Sequence, residues 1–67
     1  MNQLIVKYIK ETCVSLEQGK EYKAIGYDPL LKSIAVIDES KEAYLYPPSA
    51  FKIQGDYTQL PLQDNRV

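Results

Sequence analysis

Gly19-Lys20-Glu21-Tyr22-Lys23-Ala24-Ile25-Gly26-Tyr27-Asp28, with Ser33-Ile34-Ala35-Val36-Ile37-Asp38-Glu39-Ser40-Lys41-Glu42-Ala43-Tyr44-Leu45-Tyr46-Pro47-Pro48-Ser49-Ala50-Phe51-Lys52-Ile53 after it, decides the fold. It reads as short strands stopped by polar turns. From Lys20 to Tyr27, alternation puts Tyr22 and Ala24 on one face and Lys23 and Ile25 on the other. Asp28-Pro29 opens a turn, because proline fixes its own backbone and biases the preceding residue to extended geometry. Ser33 to Asp38 is the strongest strand signal, carried by Ile34-Ala35-Val36-Ile37. Asp38 to Glu42 is then a polar turn, and Ala43 to Tyr46 the return arm of a hairpin. Pro47-Pro48 lacks two ladder donors and ends that strand. Ser49 and Ala50 are expected to form one tight helical turn that returns Phe51 and Ile53 to the core.

Working outward, Leu4 to Ile9 is rich in β-branched residues. Period two places Leu4, Val6 and Tyr8 on one side. A helix extended by Lys10-Glu11 competes, but Ile5, Val6 and Ile9 would lose side-chain freedom there, which favours a strand. Thr12 to Gln18 suits a second extended piece or an ordered loop, closed by Gly19. Gln54 to Val67 is polar apart from Leu60 and Leu62, and is either a frayed tail or a docking segment. The expected organisation is one all-β domain over residues 1–53, a small five-stranded barrel closed or nearly closed, followed by a C-terminal tail over 54–67. By composition that tail is dispensable for folding.

The chain has 67 residues, so one domain is its limit. A chain this size buries only about 60% of its unfolded surface. Apolar residues make up 45%, enough for a packed core. Eight basic and nine acidic side chains give a net charge of −1 and interleave locally, as in Lys20-Glu21 and Lys41-Glu42. No basic stripe forms, which argues against binding phosphate backbones. Cys13 is alone, so no internal disulfide forms, and a reducing cytoplasm is the expected location. There is no signal-peptide pattern and no apolar run near the ~20 residues that span a bilayer.

The order of strands resembles an SH3-like barrel. The Gly19-Lys20-Glu21-Tyr22-Lys23-Ala24-Ile25 step is similar to the one that opens the second long strand of that family. Ala43-Tyr44-Leu45-Tyr46-Pro47-Pro48-Ser49-Ala50-Phe51-Lys52-Ile53 resembles its ending: a hairpin arm, a proline-led 3-10 turn and a short closing strand. The Gly-Lys-x-Tyr step with the Tyr-x-Tyr-Pro ending also looks like a group of short, uncharacterised bacterial and bacteriophage proteins. The likeness covers roughly Leu16 to Ile53, and small barrels of this kind host unrelated activities. The chain departs from peptide-gripping SH3 domains: it has no Trp, Ile34 stands in that neighbourhood, and the ending's tyrosine falls on Ala50 or Phe51.

With no His and one Cys, no Ser-His or Cys-His nucleophile pair can be built, so no enzyme is expected. Cys13 reads as a small hydrophobe in or near the core. No zinc ligand set exists, and Asp38, Glu39 and Glu42 read as turn chemistry and solvated charge; no metal or cofactor is expected. Six tyrosines are the one enrichment. Either they replace missing Phe and Trp in the core, or some form an aromatic platform. Tyr27 and Tyr44, with Leu30 and Leu31 in the loop after Pro29, are the candidate partner-binding residues, expected at one end of the molecule. The expected function is non-enzymatic protein–protein interaction, by self-association or with another protein. A small-barrel nucleic-acid binder is the alternative.

Overall fold

The computed structural model describes residues 3–62 of the chain. Five strands form one antiparallel sheet: β1 (Leu4–Tyr8), β2 (Glu21–Asp28), β3 (Ser33–Ile37), β4 (Ala43–Tyr46) and β5 (Phe51–Ile53). Their order is β4-β3-β2-β1-β5. The only helical segments among the described residues are two 3-10 turns, Pro48–Ala50 and Tyr57–Gln59.

The inner face follows the alternation read from sequence. Leu4, Val6 and Tyr8 of β1 are buried, and in the ladder Leu4 opposes Ala24 and Val6 opposes Tyr22. Ile34 and Val36 of β3 and Phe51 of β5 complete the same surface. Each such side chain contributes roughly 1.5–3 kcal/mol on leaving water. Ile25 interrupts the β2–β3 register as a bulge: Ala24 pairs with Val36, but Gly26 already pairs with Ala35 and Tyr27 with Ile34. A bulge bends its strand and deepens the local twist.

The sheet curls strongly. Four strand spacings in a flat sheet would separate β4 from β5 by roughly 19 Å. Yet the Tyr46 ring from β4 lies edge-on to the Phe51 ring from β5, centroids 6.1 Å apart. Of the closed or nearly closed barrel expected from the sequence, closure is not formed, because no ladder joins β4 to β5. Pro47 has no N–H, and the Pro48–Ala50 turn carries the chain from one edge to the other in place of a hairpin.

The long connection from Ile9 to Lys20 is an ordered loop. Tyr8 N–H donates to Lys20 O and Gly19 N–H to Tyr8 O, and Leu16 plugs the core at 2% exposure. Gly19 holds a φ of 84°, which glycine adopts without strain. Cys13 is exposed, not in the core as its residue type suggested. The Cys13 N–H to Leu16 O bond closes a turn with Val14-Ser15 at its tip, and it is Leu16 that the loop buries instead.

After Ile53 the chain docks through residue 62. Leu60 joins the core, Tyr27 N–H donates to Pro61 O at 2.9 Å, and Leu62 bridges Tyr27 in parallel. Asp56 caps the second 3-10 turn by accepting from Thr58 N–H. Positions 63–67 of the expected tail lie outside the described residues.

Candidate functional site

The β2–β3 hairpin tip carries two of the candidate residues. Asp28 accepts at Oδ1 from the N–H groups of both Leu30 and Leu31, at 2.9 and 3.2 Å. This is the local hydrogen bonding that makes Asp a turn former. Ser33 Oγ donates to Leu31 O, and Lys32 takes a φ of 52° to close the turn. The leucines are thus fixed by their backbone while their side chains face water, at 78% and 63% exposure.

Tyr27 stands at the base of this tip but is not a free surface group. The bulge at Ile25 turns it to the inner face opposite Ile34, where it packs against the core. Its ring meets Tyr57 edge-on, centroids 5.3 Å apart. Tyr44 is half exposed but pairs with Val36, toward the other end of β3. The four candidates are therefore not one patch: Leu30, Leu31 and Tyr27 share the hairpin end, and Tyr44 lies on the outermost strand, away from them.

A second polar constellation forms at the β3–β4 turn. Asp38 is buried, contrary to its reading as solvated charge. Its carboxylate accepts from Ser40 N–H at 2.9 Å, from Ser40 Oγ, and from the Tyr46 hydroxyl at 2.6 Å. The Ser40 and Tyr46 donors hold it below the usual carboxylate range. Burial, with the Asp38 carboxylate alongside, pushes Tyr46 up to about 12. Next to it, Glu39 accepts from Lys20 Nζ and from the Tyr22 hydroxyl, each at 2.7 Å, and the lysine bond leads in holding it low. Glu39 N–H donates to Ser15 O, and Glu17 N–H donates to the Tyr22 hydroxyl. The turn and the Ile9–Lys20 loop are thereby locked to each other. The signal for this lay in the Asp38-Glu39-Ser40 turn and the two tyrosines, but pairing them requires the sheet register.

The outer face is mixed in charge. Lys7 opposes Lys52 across β1 and β5, while Glu21 opposes Lys7 across β1 and β2. The groove beside β2 sets Lys20, Lys23 and Lys41 among Glu21, Asp38 and Glu39, so its charges offset one another. Among the described residues no group of three or more His, Cys, Asp or Glu is placed to hold a metal ion. None of their helices is long and apolar enough to cross a membrane. No family model matches the chain, and no curated protein or solved structure matches it.

Proposed function

We propose that the protein is a non-enzymatic interaction module of the SH3-like kind, which captures another protein through the Leu30-Leu31 hairpin tip. The observation that carries this reading is the pair of hydrogen bonds that Asp28 Oδ1 accepts from the Leu30 and Leu31 N–H groups, which holds the backbone of two exposed leucines in a fixed frame. The backbone of such a turn needs no further ordering on contact, which lowers the cost of binding. The SH3-like assignment is supported by β5 pairing with β1 and by the proline-led 3-10 turn between β4 and β5. The sequence adds the reasons against catalysis: no His and a lone Cys.

The test is capture from the native cell by the parent chain and by the Leu30→Asp, Leu31→Asp double variant. Loss of captured protein with an unchanged circular-dichroism spectrum supports the reading. Normal capture by the folded double variant removes the tip as the contact. A second reading, single-strand nucleic-acid binding, has Lys7 and Lys52 behind it, side by side on the outer face. A gel shift that weakens steeply with salt would favour it, since phosphate contacts release counterions.

A further inference from the structure

We infer that the free edge of β4 pairs with β4 of a second copy, antiparallel, with Tyr44 facing its own equivalent on a two-fold axis. This is a different surface from the hairpin tip and does not depend on it. β4 ends the strand order, so among the described residues only β3 pairs with it. Asp38 N–H donates to Glu42 O at 3.2 Å, and the ladder continues in the same register through Val36↔Tyr44 and Ile34↔Tyr46. Hydrogen-bonded and non-hydrogen-bonded pairs alternate in an antiparallel ladder. The backbone of Tyr44 and Tyr46 therefore faces β3, and the N–H and C=O groups of Ala43 and Leu45 point outward. Among the described residues, no bond outside the ladder takes them.

Edge strands are ordinarily blunted with charge, proline or a bulge. β4 is Ala43-Tyr44-Leu45-Tyr46, uncharged, with no break in its register. The other edge is better defended. β5 is three residues long with Lys52 at its centre, and Phe51 N–H is already used by Pro48 O.

The length of the edge selects the occupant. The Asp38–Glu42 turn and Pro47 limit it to four residues. A disordered peptide would have to order its backbone for a handful of hydrogen bonds, whereas a second copy brings the strand already formed. Pairing Ala43 with Leu45 of the copy satisfies all four outward groups on each chain. Slipping by two residues toward Pro47 sets Ala43 against a residue with no N–H. In the favoured register Glu42 meets Tyr46, so no like charges oppose each other. Tyr44, 50% exposed in the single chain, becomes the close central pair. So small a contact belongs with transient interfaces, and the dimer is concentration-dependent.

Sedimentation equilibrium up to about 1 mM, where weak association becomes visible, reads the proposal directly. The parent chain should move toward the dimer mass. Ala43→Pro removes one outward N–H and leaves the β3 ladder intact; it should remain monomeric with a native spectrum. If that variant unfolds, Tyr44→Lys serves instead, because it sets like charges opposite each other at a half-exposed position. In a Cys13→Ser background, Tyr44→Cys should oxidise to a disulfide dimer at least about tenfold faster than Glu42→Cys, whose equivalents are too far apart to bond. A parent chain that stays monomeric, equal cross-linking at both positions, or dimerisation by folded Ala43→Pro or Tyr44→Lys would overturn it. So would loss of the dimer in Leu30→Asp, Leu31→Asp alone. Partner capture retained by Ala43→Pro would separate the two surfaces.

Discussion

The Tyr46 hydroxyl donates to Asp38 Oδ2 at 2.6 Å, tying the last residue of β4 to the residue that follows β3. The bond closes a hairpin whose turn also grips the Ile9–Lys20 loop through Glu39. Both partners have displaced proton affinities, in opposite directions. Asp38 is held low by its donors, and Tyr46 is raised to about 12.

These shifts set a stability window in pH. For Asp38 and Glu39 the folded value is depressed, so their contribution is present above the unfolded values of 3.8 and 4.5 and is lost as pH falls through the folded values. For Tyr46 the neutral phenol is favoured. Its contribution is full below the ordinary value of 10.0 and disappears as pH rises toward about 12. Melting temperature should therefore form a plateau that falls on both sides. Tyr46→Phe should flatten the alkaline fall, and Asp38→Asn should lower the plateau and reduce the acid dependence. An alkaline limb unchanged in Tyr46→Phe would place that titration elsewhere.

Phe51 is the second test of the core. Its ring touches both Tyr8 and Tyr46, at centroid distances of 5.6 and 6.1 Å, and so joins the two ends of the curled sheet. Phe51→Ala should cost about 3–5 kcal/mol, enough to unfold most of so small a domain at room temperature. Chemical denaturation of the variant measures it. A transition matching the parent would mean that Phe51 does not hold the sheet's curl.

The inner face was legible because strict alternation admits one solution. Leu4, Val6 and Tyr8 could be buried together only from one side of β1, and the structure places them there. Tyr27 was not legible, since plain alternation from Tyr22 and Ala24 sends it outward. The extra residue at Ile25 reverses its face, and a bulge leaves no mark in a period-two reading. Tyr44 needed the β3–β4 register to be separated from Leu30 and Leu31. Asp38 looked like a turn residue and is one. Its burial depends on a tyrosine hydroxyl eight positions away.

Two glycines separate backbone conformation from space. Gly19 has a φ of 84° and open surroundings, while Gly55 has a φ of 127° and an added Cβ would sit 3.1 Å from Leu4 Cδ2. Gly19→Ala should cost about 1 kcal/mol, and Gly55→Ala about 2–3 kcal/mol, because its φ lies where only glycine is comfortable. Gly19→Asn should recover most of the loss, since Asn tolerates left-handed backbone, whereas Gly55→Asn should not. Equal costs at the two sites in urea titrations would contradict this account.

The segment after Ile53 is packed onto the sheet as far as Leu62. Its polar composition predicts that the domain folds without it unless Leu60 and Leu62 dock, and Leu60 does dock. Leu60 is 5% exposed and sits in the main cluster, with Tyr57 packed against its edge. Pro61 O also accepts the Tyr27 N–H at 2.9 Å. Truncation after Gln54 would expose apolar surface on the inner face and leave a backbone donor without its partner. Losing Leu60 alone is worth about 2–5 kcal/mol. The truncated chain should melt well below the parent or fail to fold, and full-length Leu60→Ala should reproduce much of that loss. A chain ending at Leu62, which keeps Tyr57, Leu60 and Pro61, should melt well above the one ending at Gln54. If the chain ending at Gln54 melts with the parent, the docked segment contributes nothing to stability and Leu60 is covered without being needed.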